Sequence, residues 1–254
     1  MARIIAVANQ KGGVGKTTTC VNLCAALSLM NKRALLVDCD PQGNASSGMG
    51  VSKSQRPNTY DMVINGAKAA DCLVRTEYGD VIPASKELAA SSVELIGTER
   101  REFVLKDAVQ PLYSEYDYIL LDCPPSLELL TVNALVAADS VLIPMQCEYY
   151  ALEGIADLMT SIKMCSKRLN TRLTVEGIVL TMYDSRANLT EQVANELRKY
   201  LGNKIYNTVI PRSVRLSEAP SHGVPGVIYD RLNRGSRAYM AFAAEFIAKS
   251  EGGR

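Results

Sequence analysis

The segment ANQKGGVGKTTT, residues 8–19, constrains this chain more than any other part of it. It follows an apolar, β-branched run at residues 4–8 and leads into an amphipathic stretch at residues 18–30. Its glycines let main-chain N–H groups close round an anion without a Cβ clash. The first turn of a following helix adds positive charge at the same place. The segment therefore predicts a phosphate-binding loop between a strand and a helix.

The spacing inside this loop departs from the ordinary motif G-x-x-x-x-G-K-[ST]. The first glycine of that motif would fall on Gln10, and an extra lysine, Lys11, precedes the double glycine. Lys16 is predicted to reach the β- and γ-phosphates, and the Thr17 hydroxyl to bind Mg²⁺. The alternative is a glycine-rich turn that binds nothing, which leaves two lysines and a threonine at this spacing unexplained. The predicted nucleotide-binding residues of the loop are Lys11, Gly12, Gly13, Val14, Gly15, Lys16, Thr17 and Thr18.

Apolar runs alternate with helix-length segments along the chain, which predicts a doubly wound α/β fold. Continuous apolar strands between helices indicate a mostly parallel sheet with helices on both faces. Residues 45–100 are less regular and are interpreted as a peripheral excursion within a single P-loop ATPase domain, residues 1–254. The predicted strands are residues 4–8, 34–38, 118–122, 140–144, 175–181 and 205–210, and the clearest helices are residues 18–30, 152–165 and 190–201.

The composition limits the remaining classes of protein. The net charge is +1 over 254 residues, so any nucleic-acid contact must come from a local patch. No apolar run reaches the ~18 residues of a membrane span. Because a predicted strand begins so early, we expect neither a signal peptide nor a separate N-terminal DNA-binding domain. Seven cysteines include no C-x-x-C pair, and His222 is the only histidine. These features argue against a zinc site and favour reduced thiols buried in a core.

Two of the predicted strands end in acidic turns, LLVDCDPQG and ILLDCPPS. Ligands in doubly wound sheets bind at the carboxyl ends of strands, so both turns are expected at one site. Asp122 follows an apolar strand as a Walker B aspartate does, and it is predicted to hold Mg²⁺ through a water. Asp38 is predicted to support the same metal-water shell. For Asp38, as for Asp40, the alternative is a turn in which the carboxylate caps the following helix.

The chain resembles a known family over nearly its whole length, from Arg3 to about Tyr239. KGGVGKTTT is similar to the deviant Walker A motif of the ParA/MinD group of ATPases. DCDPQGNAS, LLDCPPS, EYYALEG and IPRSVRLSEAPSHG are similar to the small chromosomal-type ParA (Soj) proteins. The resemblance implies an ATP- and Mg²⁺-dependent switch that forms a homodimer, binds double-stranded DNA nonspecifically, and is reset by a ParB-type partner. It also implies a cytoplasmic protein that associates with the nucleoid when ATP is bound.

The resemblance also implies roles for single residues. Asp40 matches the aspartate that orients the attacking water, so it joins Lys11 and Lys16 as a predicted catalytic residue. Lys11 matches the lysine that reaches across the dimer interface to the partner's nucleotide. By the same resemblance Glu148 faces the ribose, and Met182 and Pro211 hold the adenine. The alternative for Met182 and Pro211 is an ordinary core residue and an ordinary turn residue.

A basic segment, residues 210–237, is the predicted DNA-binding surface. Its five arginines against Glu218 and Asp230 give +3 over 28 residues, and phosphate contacts need charge but no reading of bases. Relatives commonly contain SHGKP and DPKSKG, whereas this chain has SHGVP and DRLNRG, so Val224 replaces a lysine and the DNA footprint stays open. The alternative is a solvated basic face. The predicted DNA-binding residues are Arg212, Arg215, Arg231, Arg234 and Arg237, of which the last three share one side if they form a helical turn.

Two other functions use the same ATPase fold. A MinD-like spatial regulator would end in a basic amphipathic helix that lies on the membrane. The last segment here carries Met240, Phe242, Phe246 and Ile247, and we expect these side chains to dock onto the fold, so no membrane partner is predicted. A metabolic carrier or reductase of the nitrogenase iron-protein type would need cluster cysteines in a suitable arrangement, which the sequence lacks.

Overall fold

The computed structural model of this chain describes residues 1–148 and 151–252. Within those ranges seven strands form one sheet in the order β3-β2-β4-β1-β5-β6-β7, and every neighbouring pair is parallel. The strands are β1 (Arg3–Val7), β2 (Ala34–Asp38), β3 (Asp80–Ile82), β4 (Tyr118–Asp122), β5 (Ser140–Gln146), β6 (Thr174–Tyr183) and β7 (Ile205–Pro211).

Helices cover both faces of the sheet, which confirms the predicted doubly wound α/β class. One apolar layer includes side chains of α3, α5, α6, α7 and α8, and the other includes side chains of α1, α10 and α11. The helices are α1 (Lys16–Leu29), α2 (Asn44–Gly48), α3 (Thr59–Val63), α4 (Ser91–Glu94), α5 (Val104–Val109), α6 (Leu129–Ala137), α7 (Ala151–Arg168), α8 (Asn188–Leu201), α9 (Val214–Glu218), α10 (Gly226–Tyr229) and α11 (Arg234–Gly252).

Alternation along the central strand shows how the two layers arise. Ile4 and Ala6 of β1 point into one apolar layer, while Ile5 and Val7 point into the other. All four are almost completely buried. A parallel strand covered on both faces needs apolar residues at every position, which is why these strands appear in the sequence as unbroken apolar runs.

Strand register brings the predicted functional turns to one edge of the sheet. β4 lies between β1 and β2, with Val7 beside Asp122 and Asp122 beside Asp38. The loop that follows β1 therefore lies next to the acidic ends of β2 and β4. This is the crevice at the carboxyl ends of strands where doubly wound proteins bind ligands.

The irregular region contributes one strand that the sequence analysis did not predict. β3 pairs with β2 at the edge of the sheet, and Val74 and Val81 form an antiparallel bridge beside it. Three residues, the first of them an aspartate, are too few to produce a recognisable periodic pattern. Met62 and Leu88 of the same region belong to the apolar layer shared with the sheet.

The last helix packs against the body of the protein. Tyr239, Phe242 and Phe246 of α11 are buried among side chains of α1 and β7, and Met240 and Ile247 pack partly against them. The expectation that this segment docks onto the fold is thus confirmed. In the described ranges, no helix has the length and apolar character that crossing a membrane requires.

Candidate functional site

The predicted phosphate loop joins β1 to α1 in an open conformation that depends on glycine. Gly13 and Gly15 have φ of 73° and 88°, in the left-handed region that favours glycine. A Cβ placed on Gly12 or Gly13 would meet no atom within 4 Å. The glycines are therefore not required for packing against the protein itself. They leave room above the main chain for a ligand.

Lys16 is the first residue of α1, directly after this loop, and is only 6% exposed. Its Nζ donates to the carbonyl oxygen of Lys11 at 3.0 Å, so the side chain folds back over the loop. Burial lowers the pKa of Lys16, while the nearby carboxylates of Asp122 and Asp40 act in the opposite direction. An ammonium group at this position faces the space that the glycines leave open, as phosphate binding requires.

Asn9, Gln146 and Thr181 also hold this loop, although the sequence analysis did not single them out. The Asn9 side chain donates to the Pro144 carbonyl at 2.8 Å and accepts the Lys11 N–H at 3.1 Å. Gln146 and Thr181 donate to carbonyl groups of the loop. Single polar residues at strand ends produce no periodic signal, so only the parallel-sheet topology could have directed attention to them.

Asp122 is completely buried, and neither of its carboxylate oxygens has a hydrogen-bond partner among the described residues. The Thr17 hydroxyl and the Cys20 thiol approach it without reaching hydrogen-bonding geometry. Burial raises the pKa of Asp122, and the charge of Asp38 raises it further. A buried, unpartnered carboxylate is costly. Two free oxygens beside a threonine hydroxyl form the oxygen donor set that Mg²⁺ prefers.

Asp38 differs from Asp122 in being fully partnered. It accepts hydrogen bonds from the Ser46 hydroxyl at 2.7 Å, the Ser46 N–H at 2.8 Å and the Asp40 N–H at 3.1 Å. Burial raises the pKa of Asp38. These contacts correspond to the capping alternative, because they tie the strand end to α2. Support of the metal-water shell by Asp38 remains a prediction.

Asp40 is buried in the same crevice and is only 8% exposed. One of its oxygens accepts the Gln42 N–H at 2.9 Å, which forms a local turn. The negative charge of Asp40 acts to raise the pKa of Lys16, so the carboxylate and the ammonium group interact electrostatically. The second oxygen has no protein donor among the described residues and is available to a water molecule.

A cavity of about 330 Å³ opens beside the phosphate loop. Met182 and Pro211, predicted to hold the adenine, both line it. Met182 has a φ of 49°, a left-handed conformation uncommon for a residue with a side chain. The wall is mostly apolar and is formed by Gly15, Thr18, Thr181, Met182, Ile210, Pro211, Arg212, Ser213, Val214, Leu216, Ser217 and Tyr239.

Lys11 and Glu148 form an ion pair at the rim of the site. Their side chains are 55% and 51% exposed, so neither side chain is buried in the protein. The structure thus brings the lysine predicted to act across a dimer close to the glutamate predicted to face the ribose. Tyr149 and Tyr150, part of the EYYALEG motif, lie outside the described residues.

The five arginines of residues 210–237 are exposed but not equivalent. Arg215 pairs with Glu218 at 2.9 Å and with Asp230 at 3.6 Å, whereas the other four have no ion pair in the part of the chain described. Two acidic partners reduce the charge that Arg215 can offer to another molecule. Arg212 also lines the cavity beside the phosphate loop, so the basic surface adjoins that cavity.

The spacing of three of these arginines does not produce one helical side. Arg234 begins α11 and Arg237 follows within it, but Arg231 precedes the helix in a turn. The Asp230 side chain accepts the Asn233 N–H at 3.1 Å and holds that turn. The expectation of a shared helical side was therefore wrong for Arg231 and correct for Arg234 and Arg237.

The cysteines form part of the core. All seven are free and buried. Burial raises the pKa of the thiols of Cys24, Cys72 and Cys147, as it does for buried thiols in general. In residues 1–148 and 151–252, no group of three or more histidine, cysteine or acidic side chains has metal-binding spacing.

Known proteins match this chain over most of its length. A family model described as an AAA domain matches residues 2–175. The sporulation initiation inhibitor protein Soj of Bacillus subtilis is 53% identical over 251 residues, covering 98% of this chain and 99% of Soj. The chromosome partitioning protein ParA of Myxococcus xanthus is 50% identical over 252 residues, covering 98% of this chain and 89% of that protein.

A solved structure with bound ligands shows the same fold. Cobyrinic acid a,c-diamide synthase from Mycobacterium smegmatis, with a bound ATP analog and magnesium, superposes with a TM-score of 0.86. The two sequences are 32% identical, and the match covers 100% of this chain and 98% of that one.

Proposed function

The chain belongs to the Soj/ParA family of chromosome-partitioning ATPases, and from that premise we propose that it binds ATP with Mg²⁺ and hydrolyses it to ADP and phosphate at the loop formed by residues 8–19. The observation that carries the proposal is the pair of buried, unpartnered oxygens of Asp122 beside Thr17. A cation at these oxygens and an anion at the loop would together offset the cost of burying that carboxylate.

Binding of the phosphates is assigned to the loop. Lys16 and the main-chain N–H groups of residues 12–18 contact the phosphate oxygens, aided by the N-terminus of α1. Thr17 and Asp122 would hold Mg²⁺, with Asp38 supporting the water shell. When bound, the ion neutralises charge on the phosphate oxygens.

Recognition of the nucleoside is assigned to the cavity beside the loop. Its largely apolar wall and its volume of about 330 Å³ suit a flat aromatic base, with Met182 and Pro211 in contact with the adenine. Glu148 lies at the rim, where its carboxylate can accept hydrogen bonds from the ribose hydroxyl groups. The ion pair with Lys11 keeps this side chain near the entrance.

Asp40 is assigned to the chemical step. Its free oxygen orients the water that attacks the γ-phosphate, and Lys16 stabilises the charge that develops on the phosphate oxygens. Asp40 is buried in the crevice, 8% exposed, and its charge acts on Lys16 of the phosphate loop. This role needs a different kind of contact from ATP binding, so the two can be separated by mutation.

A pair of substitutions tests this assignment. Lys16→Ala should weaken binding of a fluorescent ATP analogue at least about a hundredfold, because the phosphates lose their main cationic contact. Asp40→Ala should bind the analogue normally but release phosphate at least about a hundredfold more slowly. Lys68→Ala, which removes an exposed lysine far along the sequence from the loop, is the control. Normal ATP affinity in Lys16→Ala would falsify the site.

Dimerisation is assigned to Lys11. The side chain is half exposed and lies beyond the pocket that Lys16 fills, so it is free to reach a nucleotide held by a second subunit. The γ-phosphate charge would then be shared between two protomers only when ATP is present, which makes the homodimer ATP-dependent. The exposed pair with Glu148 is weak enough to be exchanged for such a contact.

DNA binding is assigned to the exposed arginines of residues 210–237, with Arg215 contributing less because two carboxylates already hold it. Guanidinium groups bind phosphate without regard to base sequence. One protomer offers few contacts, so its affinity is low. Two protomers in an ATP dimer place two such surfaces on one duplex, and the second contact becomes intramolecular.

Together these assignments describe a partition cycle. The ATP dimer associates with the nucleoid, and a ParB-type centromere-binding partner stimulates hydrolysis and returns the protein to the cytoplasm. The membrane-associated alternative is not favoured, because α11 buries Tyr239, Phe242 and Phe246 in the core and cannot offer them to lipid at the same time.

A further inference from the structure

The direction of each main-chain N–H in the phosphate loop depends on the carbonyl group of the residue before it. Both groups belong to one planar, trans peptide unit and point in opposite directions. A hydrogen bond that holds a carbonyl against the protein body therefore turns the paired N–H the other way. Among the described residues, the N–H groups of Val14 and Gly15 have no acceptor. They are available to an anion.

Thr181 fixes one of these peptide units. Its hydroxyl donates to the Val14 carbonyl at 2.8 Å, and its side chain is 2% exposed. The N–H in the same unit belongs to Gly15, whose φ of 88° lets the chain turn sharply into α1. A Cβ on Gly15 would lie 3.7 Å from the Thr181 methyl group, so β6 also packs close to the loop at Gly15.

Gln146 fixes the preceding unit. Its Nε2 donates to the Gly13 carbonyl at 2.9 Å, and the N–H in that unit belongs to Val14. The same nitrogen lies in contact with the Met182 sulfur, so the amide group packs between the loop and Met182. Gln146 and Thr181 are register partners at the ends of β5 and β6. The two contacts to the loop therefore come from adjacent positions on neighbouring strands of the sheet.

We propose that Thr181 and Gln146 are positioning residues that hold the Val14 and Gly13 carbonyls and thereby aim two loop N–H groups at a bound polyphosphate. The inference rests on the proposed function, since it concerns the same phosphates. Neither Thr181 nor Gln146 belongs to the phosphate-loop motif. The link from Gln146 to Met182 also connects this loop to the wall of the base cavity.

Titration calorimetry with Mg²⁺ and inorganic tripolyphosphate, alongside ATP, tests the proposal. Thr181→Val keeps the shape of the side chain and removes the hydroxyl, and it should weaken tripolyphosphate binding about tenfold. Gln146→Met should weaken it about threefold, because this contact is more accessible to water. ATP should lose affinity by similar factors, since both residues act on the phosphate side.

Controls separate positioning from stability. Thr181→Ser keeps the hydroxyl and should restore most of the affinity. Thr174→Val makes the same substitution at the opposite end of β6 and should bind normally. The thermal midpoint without nucleotide should change little for Gln146→Met, whose side chain is only half-buried. If Thr181→Val fails to fold, Gln146→Met decides the question, and wild-type tripolyphosphate affinity in that variant would overturn the proposal.

Tripolyphosphate affinity equal to wild type in both Thr181→Val and Gln146→Met would overturn the inference. A loss confined to ATP would also overturn it, because the residues would then act on the base and not on the phosphates. A wild-type protein that binds neither ligand would instead contradict the proposed function itself.

Discussion

Asp38 and Asp122 end neighbouring strands in register, yet their carboxylates have opposite surroundings. Ser46 and the Asp40 N–H satisfy Asp38, whereas no protein donor among the described residues satisfies Asp122. Burial raises the pKa of both side chains. Asp38 is thus stabilised by the fold, while Asp122 has free oxygens that a ligand would satisfy.

Isosteric substitution of these two aspartates should have opposite effects on stability. Asp122→Asn removes a carboxyl group whose charged form is disfavoured by burial, and should raise the free energy of unfolding, without nucleotide or Mg²⁺, by about 1 kcal/mol. Asp38→Asn replaces an accepting oxygen with a donor facing the donors of Ser46, and should lower it by about 2 kcal/mol. Urea denaturation measures both values.

The same variants should also differ in ligand binding. Asp122→Asn should lose the Mg²⁺ dependence of ATP affinity, because one donor to the ion is gone. If Asp122→Asn destabilises the protein as much as Asp38→Asn does, then Asp122 is a structural residue and the proposed metal position is wrong.

At the scale of elements, α11 closes one apolar layer of the sheet. Phe246 is completely buried, with its ring centroid 5.5 Å from that of Tyr118. Glu245 on the same helix accepts the N–H groups of Asn207 and Thr208, both in the edge strand β7, at 2.8 Å. The helix therefore fills the core and covers an edge that would otherwise be open to another chain.

Truncating the Phe246 side chain should destabilise the protein. Phe246→Ala should lower the free energy of unfolding by about 3–4 kcal/mol, because it leaves a cavity in a packed layer. Leu232→Ala is the control, since that side chain is 76% exposed and its loss should matter by less than about 0.5 kcal/mol. Equal effects in urea denaturation would show that α11 is not part of the cooperative core.

The elements that the sequence predicts correctly are those with a strong hydrophobic pattern. β1, β2 and β4 are buried at nearly every position, so their apolar runs are unbroken. β3 has three residues and depends on its pairing with β2, which no local pattern reports. Thr181 and Gln146 contact the loop only because distant strands become neighbours, and that information lies in the topology.

At the scale of the whole molecule, the proposed nucleotide site and the basic segment share a boundary. Arg212 lines the cavity assigned to the base, while Lys11 lies at the rim on the Glu148 side. Two molecules meeting across their phosphate loops would thus bring nucleotide, interface and basic surface together. Such an arrangement would let ATP control DNA affinity without contacting most of the arginines.

Removal of Lys11 should uncouple binding from assembly. Lys11→Ala should bind ATP with near-normal affinity, since Lys16 supplies the contact within the protomer, but it should stay monomeric in analytical ultracentrifugation with ATP. Asp40→Ala, which retains ATP, should give the dimer under the same conditions. A stable ATP dimer of Lys11→Ala would remove the proposed contact across the interface.

Retention of the protein on nonspecific duplex DNA with ADP, with ATP, and with ATP plus a ParB-type partner tests the central claim most directly. Retention should require ATP, fall when the partner is added, and weaken with salt by roughly 0.9 in log affinity per log salt for each phosphate contact. Arg234→Glu should reduce retention and flatten that slope, while Arg172→Glu, located before β6 at the opposite end of the sheet, should not. Equal retention with ADP and ATP would contradict the account.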